Sequence, residues 1–323
     1  MVNIIALYPG QGSQYPQMAL DLYASSQAVK DLFAVASEAT HTDLYTLLAT
    51  GSEEDLKKTE VTQLVVTLAN RAVQVRLSEL NLITTCHSGL SLGEVSAYAS
   101  GGIIDDTTLF QLVQKRSSLM AEAGTKVEKE YGKLGMAAVI GMDFSSVEKV
   151  LHTNSLKNVY PSNDNGPNQV VIAGLDTAIQ EAKPYLIAAG ARRVLPLKVS
   201  GAFHTPFMQD ATEEFSSYLD SLHFSNPKQR IISSVTAEEV LTAKMAKELL
   251  GLQLAHPVRW TKVMQRINEI KEETENTHPQ ERTVLAEVGP GTVLTGLWKN
   301  SGLPDSCSPL GKEREIQTMR EET

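Results

Sequence analysis

The chain has 323 residues and a net charge of -9; 42% of its residues are hydrophobic and 21% are charged. This length suits a large α/β domain that carries a smaller one, and the composition is that of a folded chain rather than a disordered one. The acidic balance argues against nucleic-acid binding, which needs a basic surface, and favours small-molecule or protein substrates.

Targeting and metal-binding signals are missing from the sequence. No stretch approaches the roughly 18 apolar residues of a membrane span, and the apolar run Val2–Leu7 lacks the basic flank of a signal peptide. The cysteines, Cys86 and Cys307, are far apart and show no metal-ligand spacing. We therefore expect a cytoplasmic protein with reduced thiols, no membrane contact and no metal.

The first predicted elements lead to two turns that contain glycine. Val2–Tyr8 predicts a buried strand that ends at the turn Pro9–Gln14, where the main chain can approach a ligand closely. Apolar residues at helical spacing predict a helix over Glu60–Glu79, and a second strand is expected over Leu82–Cys86.

The second strand leads into Gly89-Leu90-Ser91-Leu92-Gly93-Glu94, a GxSxG pattern that precedes the helix-like Val95–Ser100. Small residues flank such a serine because a sharp strand-to-helix turn must hold its hydroxyl exposed. The turn also places Ser91 at a helix N-terminus, whose N–H groups can stabilise an oxyanion. The alternative is a serine that only caps the helix. The surrounding elements favour a nucleophile.

Arg116 lies among apolar residues in the helix-like segment Gln111–Ala123. A guanidinium on a partly apolar face indicates a carboxylate partner or substrate, because a buried charge must be paired. The alternative, which the pattern alone favours, is an arginine that extends to the surface.

The next segments alternate between strand and helix patterns, which suits a ferredoxin-like unit. The predicted strands are Leu134–Ile140, Gln169–Ala173 and Arg192–Leu197, with room for another at Asn158–Tyr160, and the predicted helices are Ser145–Leu151 and Thr177–Ala189. We expect residues 129–198 to form this subdomain, inserted into a catalytic domain made of residues 1–128 and 199–311.

A nucleophilic serine needs a base, which is usually histidine. His204 follows a predicted strand in a loop with turn residues on both sides, and His87 is a weaker candidate at the end of a strand. A histidine without a catalytic role is the alternative for either. No motif marks a third, acidic member of a triad; Asp143, Asp164 and Asp176 suit turns or caps equally well. A backbone carbonyl or a side-chain amide is the other way to orient the imidazole.

The end of the chain contains one more strand and a charged segment. Thr283–Val288 predicts a strand that runs into the turn Gly289-Pro290-Gly291, and the polar segment Lys271–Arg282 predicts a solvated helix end or loop. We expect residues 312–323 to form a charged tail with few anchors.

Seven motifs, taken together, resemble the malonyl-CoA:acyl carrier protein transacylases of type II fatty-acid synthesis. They are Pro9–Gln14, Gly89–Glu94, Arg116 in Gln114-Lys115-Arg116, Asn168–Gly174, Ala202-Phe203-His204, Pro257–Trp260 and Glu287–Gly291. The similarity extends from Tyr8 to about Lys299, and the order and spacing of the motifs are those of the family.

The resemblance implies an α/β-hydrolase-like large domain with an inserted ferredoxin-like small domain, and no cofactor beyond malonyl-CoA as substrate. It implies that Ser91 is the acylated nucleophile and that His204 is its base. It further implies that the N–H groups of Gln11 and Leu92 form the oxyanion hole and that Arg116 binds the malonyl carboxylate. Gln253 is implied to orient His204, and Leu90 and Phe203 to line the acyl pocket.

The sequence departs from the family pattern at two positions. The family usually has histidine where Leu90 stands and commonly serine where Thr205 stands. Neither change removes the nucleophile, the base or the carboxylate anchor, so we expect activity. Leu90 flanks the acyl pocket and bears on fine specificity, whereas Phe203 resembles the malonyl-selective members, in which bulk excludes an α-methyl branch.

The resemblance further implies a ping-pong transfer of malonyl, through Ser91, to the phosphopantetheine thiol of acyl carrier protein, for fatty-acid or polyketide extension. An acidic carrier needs a local basic patch on this acidic chain. The candidates are Lys115, Arg192, Arg193, Lys198, Arg259 and Lys262. We expect a monomer, because nothing marks a large self-complementary apolar surface.

Two other functions stay open at this point. An acyl hydrolase on the same fold has no need for a carboxylate clamp, so Arg116 argues against it. A catalytically silent docking subunit of a larger synthase is disfavoured by the intact set of Ser91, His204, Gln11 and Arg116. Labelling by a serine-directed fluorophosphonate would distinguish the silent subunit from an enzyme with an active serine.

Overall fold

The computed structural model describes residues 2–197 and 201–322, which form an α/β structure with two sheets. Its strands are β1 (Val2–Tyr8), β2 (Ile83–Gly89), β3 (Leu134–Ile140), β4 (Val159–Gly166), β5 (Gln169–Leu175), β6 (Arg193–Pro196), β7 (Arg230–Ile232), β8 (Arg282–Glu287) and β9 (Cys307–Pro309). Its α-helices are α1 (Leu20–Ser25), α2 (Gln27–Thr40), α3 (Leu44–Thr50), α4 (Thr59–Glu79), α5 (Leu92–Ser100), α6 (Asp106–Tyr131), α7 (Phe144–Thr153), α8 (Asp176–Ala188), α9 (Gln209–Ser221), α10 (Ala243–Gln253), α11 (Trp260–Thr277), α12 (Val293–Lys299) and α13 (Glu313–Glu321).

The larger sheet has the order β7-β2-β1-β8-β9, and its neighbouring strands are parallel. β1 is central and nearly continuously apolar, as expected for a parallel strand covered on both faces. Alternate residues of β1 enter two separate cores, with Ile4 on one side and Ile5 on the other. The carboxyl ends of β1, β2 and β8 meet at one edge, which is where ligands bind in open α/β sheets.

The smaller sheet has the order β4-β5-β3-β6 and is antiparallel. In chain order its elements run β3, α7, β4, β5, α8 and β6. Main-chain hydrogen bonds join it to the segment before α11: Asp164 N donates to Val258 O at 2.8 Å, and Val258 N donates to Ser162 O at 3.0 Å. The Pro257–Trp260 motif thus ties β4 to the larger layer.

Most predicted elements are confirmed, and two are much longer than the pattern indicated. Helix α6 extends well beyond Gln111–Ala123, because Asp105 caps its N-terminus by accepting from Thr108 N and Gly132 ends it. Strand β4 extends far past Tyr160 through a polar stretch that lacks strand-like alternation. Its pairing with β5 overrides that weak local signal.

The prediction of a charged tail is wrong, because Glu313–Glu321 form α13 and this helix is anchored. Arg76 Nη2 lies 2.7 Å from Glu313 Oε1, and Ile316 is fully buried. The prediction for Lys271–Arg282 is only partly right, since α11 continues to Thr277 and Lys271 is buried beside Glu275. Within residues 2–197 and 201–322, no helix combines the length and apolarity that crossing a membrane requires.

Candidate active site

Ser91 lies in the sharp turn between β2 and α5. Its backbone has φ 52° and ψ -107°, in the left-handed region that a serine rarely adopts. The turn is held against the end of β1, where Leu90 N donates to Tyr8 O at 3.0 Å. A Cβ at Gly93 would lie 2.0 Å from that same carbonyl oxygen, so only glycine permits this approach. The crowded turn leaves the Ser91 side chain partly exposed.

His204 contacts the hydroxyl of Ser91, with 2.7 Å between Nε2 and Oγ. Its other nitrogen, Nδ1, lies 2.7 Å from the main-chain oxygen of Gln253. A carbonyl only accepts, so Nδ1 carries the proton and Nε2 is left to accept from Ser91. The backbone carbonyl is thus the group that orients this imidazole.

The three aspartates considered for that position lie elsewhere. Asp143 caps α7 by accepting from Ser146 N, Asp164 accepts from Thr261 Oγ1, and Asp176 is the first residue of α8. His87 is also separate from the serine. It is buried between Tyr8, 3.0 Å away, and Gln229, 2.7 Å away.

The environment of His204 keeps its imidazole neutral. Burial, and secondarily the positive charge of Arg116, lower the pKa of His204 from 6.5 to about 4. At neutral pH the ring is therefore ready to accept a proton from Ser91.

Arg116 extends from α6 to the same hydroxyl and is almost fully buried. Its Nη1 donates to Gln63 Oε1 at 2.6 Å, and its Nη2 donates to Gln253 Oε1 at 2.9 Å and to Ser91 Oγ at 3.3 Å. Its Nε has no partner among the residues that the structure describes. These partners are neutral, so the guanidinium remains available to a carboxylate. Burial lowers the pKa of Arg116 to about 10, and the charge of Glu94 raises it.

Three polar residues behind the site have no counterpart in the predicted set. Gln63 holds Arg116, while Glu94 accepts from Gln253 Nε2 at 2.7 Å and from Ser234 Oγ at 2.6 Å. Glu94 was visible in the GxSxG segment as a charged residue in an otherwise apolar helix turn, and that was the available signal. Gln63 and Ser234 carry no local signal, because only the tertiary fold brings them to Arg116 and Glu94.

A cavity of about 150 Å³ opens beside Ser91 and lies between the two sheets. It is lined by the predicted residues Gln11, Leu90, Ser91, Leu92, Arg116, Phe203 and His204, and also by Met120, Met136, Asn163, Asn165, Val171, Leu197 and Val293. Of the predicted site residues, only Gln253 does not line the cavity; it lies behind Arg116 with its amide fully buried. The arrangement brings a hydroxyl, a neutral imidazole and a guanidinium together in one largely apolar cavity, which suits attack on an acyl group that carries a negative charge.

Comparisons with known proteins agree with this chemistry. Residues 6–286 match the family model described as acyl transferase domain. The chain is 36% identical over 301 residues to the malonyl CoA-acyl carrier protein transacylase of Escherichia coli K12, covering 93% of each chain. It is 34% identical to the Bacillus subtilis protein of that name, covering 100% of this chain and 99% of the relative.

Solved structures of malonyltransferases are also similar to this chain. One is a malonyl-transacylase in complex with its type II PKS acyl-carrier protein; it superposes with a TM-score of 0.89 at 33% identity and covers 99% of this chain and 100% of that chain. Another is an acyl carrier protein S-malonyltransferase from Vibrio cholerae, with a TM-score of 0.86, 33% identity and coverage of 98% and 99%.

Proposed function

Because the chain belongs to the acyl transferase family, and within it to the malonyl-CoA:acyl carrier protein transacylases, we propose that it transfers malonyl from malonyl-CoA to an acyl carrier protein. It is an acyltransferase. One observation carries the proposal for the substrate: the buried guanidinium of Arg116 lies 3.3 Å from the same Ser91 hydroxyl that His204 contacts at 2.7 Å. An acyl group with a free carboxylate would be held with its thioester at the nucleophile.

The first half-reaction forms a malonyl-serine ester. His204 Nε2 takes the proton of Ser91 Oγ as the oxygen attacks the thioester carbon, and the N–H groups of Gln11 and Leu92 receive the oxyanion. The tetrahedral intermediate then collapses, its C–S bond breaks, and the proton on Nε2 passes to the departing CoA sulfur. The Gln253 carbonyl holds Nδ1–H throughout, which stabilises the imidazolium.

The second half-reaction reverses the first with a different thiol. His204 deprotonates the phosphopantetheine thiol of the carrier, the thiolate attacks the malonyl ester, and Ser91 regains its proton as the ester bond breaks. Because CoA leaves before the carrier binds, the cycle is ping-pong. The malonyl carrier would supply chain extension in fatty-acid or polyketide synthesis.

We also propose the finer description of the fold. The β3-α7-β4-β5-α8-β6 order and the antiparallel sheet support a ferredoxin-like subdomain over residues 129–198. The parallel sheet with a strand-turn-helix serine supports an α/β-hydrolase-like domain over residues 1–128 and 199–311. The cytoplasmic location and the monomeric state stay predictions.

Leu90 and Phe203 are proposed as acyl-pocket residues, since both line the cavity beside Ser91. Phe203 is buried, and its ring packs close to the backbone of Gly201. Bulk at this position would leave little room for a branch at the α-carbon of the acyl group.

The carrier is proposed to dock on exposed basic side chains. Arg192, Arg193 and Lys262 are exposed, whereas Lys115 is paired with Glu214 at 2.6 Å and the Arg259 guanidinium lies 4.4 Å from the Phe144 ring centre. Lys198 lies outside the described residues. We expect charge reversal at Arg192 and Arg193 together to weaken carrier binding without changing the reaction with malonyl-CoA; unchanged carrier affinity would exclude this patch.

Intact-mass analysis tests the proposed function. Wild-type protein incubated briefly with malonyl-CoA should gain one malonyl group, Ser91→Ala should gain none, and added carrier protein should remove the group as malonyl-carrier. Acetyl-CoA should give little adduct, because it has no carboxylate for Arg116. An adduct that decays to free malonate while carrier stays unloaded would indicate the hydrolase, and no adduct at all would indicate a silent subunit.

A further inference from the structure

The carboxylate of Glu94 lies one amide group away from Arg116 and takes no direct part in the reaction proposed above. Glu94 is 0% exposed. Gln253 Nε2 donates to Glu94 Oε2 at 2.7 Å, and Gln253 Oε1 accepts from Arg116 Nη2 at 2.9 Å. The Gln253 amide therefore bridges an acidic and a basic group: its N–H group donates to the carboxylate of Glu94, and its oxygen accepts from the guanidinium of Arg116.

Hydrogen-bond donors surround the carboxylate of Glu94. Ser234 Oγ and Gln253 Nε2 donate to Oε2, and the Tyr98 hydroxyl donates to Oε1 at 3.4 Å. Burial raises the pKa of Glu94, and the hydrogen bonds from Ser234 and Gln253, which stabilise the carboxylate, offset this rise in part. A buried guanidinium with only neutral partners also requires a nearby negative charge, and Glu94 supplies it.

We propose that Glu94 is the counterion of Arg116, held at one remove by Gln253 so that the guanidinium keeps a free side for the substrate. A carboxylate bonded directly to Arg116 would compete with the substrate carboxylate for the same N–H groups. With no carboxylate nearby, the buried charge would be uncompensated in the empty site. Glu94 is thus a positioning residue that acts through Gln253. The inference rests on the proposed function, because it takes an acyl group with a carboxylate as the ligand of Arg116.

Binding measurements on Glu94→Gln in a Ser91→Ala background test the inference without turnover. The substitution keeps the shape of the side chain and removes its charge. Malonyl-CoA should bind about tenfold more tightly than to the Ser91→Ala parent, because its carboxylate is no longer opposed by Glu94. Acetyl-CoA affinity should stay the same. Ser234→Ala in the same background is the matched control: it removes a hydrogen bond to Glu94 but not the charge, so the ratio of the two affinities should not change.

Two outcomes of the titration would overturn the inference. Equal weakening of malonyl-CoA and acetyl-CoA binding would mean that Glu94 only supports the local structure. Unchanged binding of both would mean that its carboxyl group is already neutral. If the Ser91→Ala parent itself fails to prefer malonyl-CoA over acetyl-CoA, the proposed function fails. The stability of the protein without ligand then tests whether Glu94 is the counterion of Arg116.

Thermal unfolding of the empty protein provides that test, even if the single variant is too unstable to titrate. Glu94→Gln should lower the unfolding temperature, and adding Arg116→Gln should recover at least half of the loss, because the unpaired charge is then gone. A double variant no more stable than Glu94→Gln alone would show that the two charges are not coupled, and would overturn the inference.

Discussion

In the proposed mechanism, the pKa of His204 sets the pH range in which Ser91 can be acylated. A histidine with its ordinary pKa of about 6.5 would be roughly nine-tenths protonated at pH 5.5, so acylation would slow about tenfold between pH 7.5 and 5.5. In this protein burial and Arg116 lower that pKa to about 4, so the rate of malonyl-serine formation should change less than twofold over the same interval. Rapid-quench mass spectrometry measures it, and a tenfold loss by pH 5.5 would contradict the assigned environment.

Arg116 should matter for the acyl group and not for the nucleophile. Arg116→Gln is expected to slow malonylation of Ser91 by about a hundredfold or more, since a charged partner of the substrate carboxylate is lost. Labelling by an uncharged fluorophosphonate should stay within a few fold, because Ser91 and His204 remain. Lys115→Ala, one residue earlier and paired with Glu214 outside the cavity, is the control and should behave like wild type towards malonyl-CoA. An equal loss of both reactions would assign Arg116 a structural role.

The sequence could indicate Ser91 from its GxSxG turn, whereas His204 and Arg116 became candidates mainly through the resemblance, because the local pattern around each suits a residue without a catalytic role. The part of Gln253 was harder to foresee, because its main-chain carbonyl contacts His204 while its amide contacts Arg116 and Glu94. A carbonyl oxygen exists at every position, so no sequence pattern distinguishes the one that orients a histidine.

At the scale of elements, the approach of α5 to the end of β1 depends on Gly93. A methyl group there would meet the Tyr8 carbonyl oxygen at 2.0 Å, so Gly93→Ala should lower the free energy of unfolding by about 3 kcal/mol. Gly124→Ala is the matched control: it lies within α6 with nothing within 4 Å of the added carbon, and should be neutral or stabilising by about 0.5 kcal/mol. Urea denaturation compares them, and equal effects would refute the steric explanation.

Local patterns predicted elements well where apolar residues form a short run, as in β1 and β3, or recur at helical spacing, as in α4. They failed where a distant contact decides the structure. Helix α13 is strongly polar and was taken for a tail, but Arg76 from α4 binds Glu313 and lowers the pKa of that carboxyl group. Such a pairing between residues so far apart in the chain is not visible until the fold brings them together.

At the scale of the whole molecule, buried histidines make stability depend on pH. Burial lowers the pKa of His87 from 6.5 to about 4. Below pH 6.5 the unfolded chain therefore binds a proton that the folded chain does not. The free energy of unfolding decreases as the pH is lowered from 6.5 to about 4. His204 contributes with the same sign, so the effect of His87 is best measured as a difference between variants.

The expected difference can be stated for His87→Gln. Between pH 7.5 and 5.5, wild type should lose about 1.4 kcal/mol more unfolding free energy than the variant, which lacks the titrating group. His278→Gln is the control for replacing an exposed histidine, and it should keep the full slope because His87 stays in place. Parallel curves for wild type and His87→Gln would show that the pKa of His87 is the same in the native and the unfolded chain.

The paired hydrogen bonds between Val258 and β4 have a mechanical consequence. They fasten the small sheet to the larger layer beside the cavity, through Ser162 and Asp164. This pair of hydrogen bonds would act as a hinge. If the two layers move apart to admit a bulky thioester, the gap between them would widen most at the edge of the cavity farthest from Val258. The cavity would then open on the side away from Val258. The hydrogen bonds of Val258 would keep the distance between Ser91 and the small sheet nearly constant during each catalytic cycle.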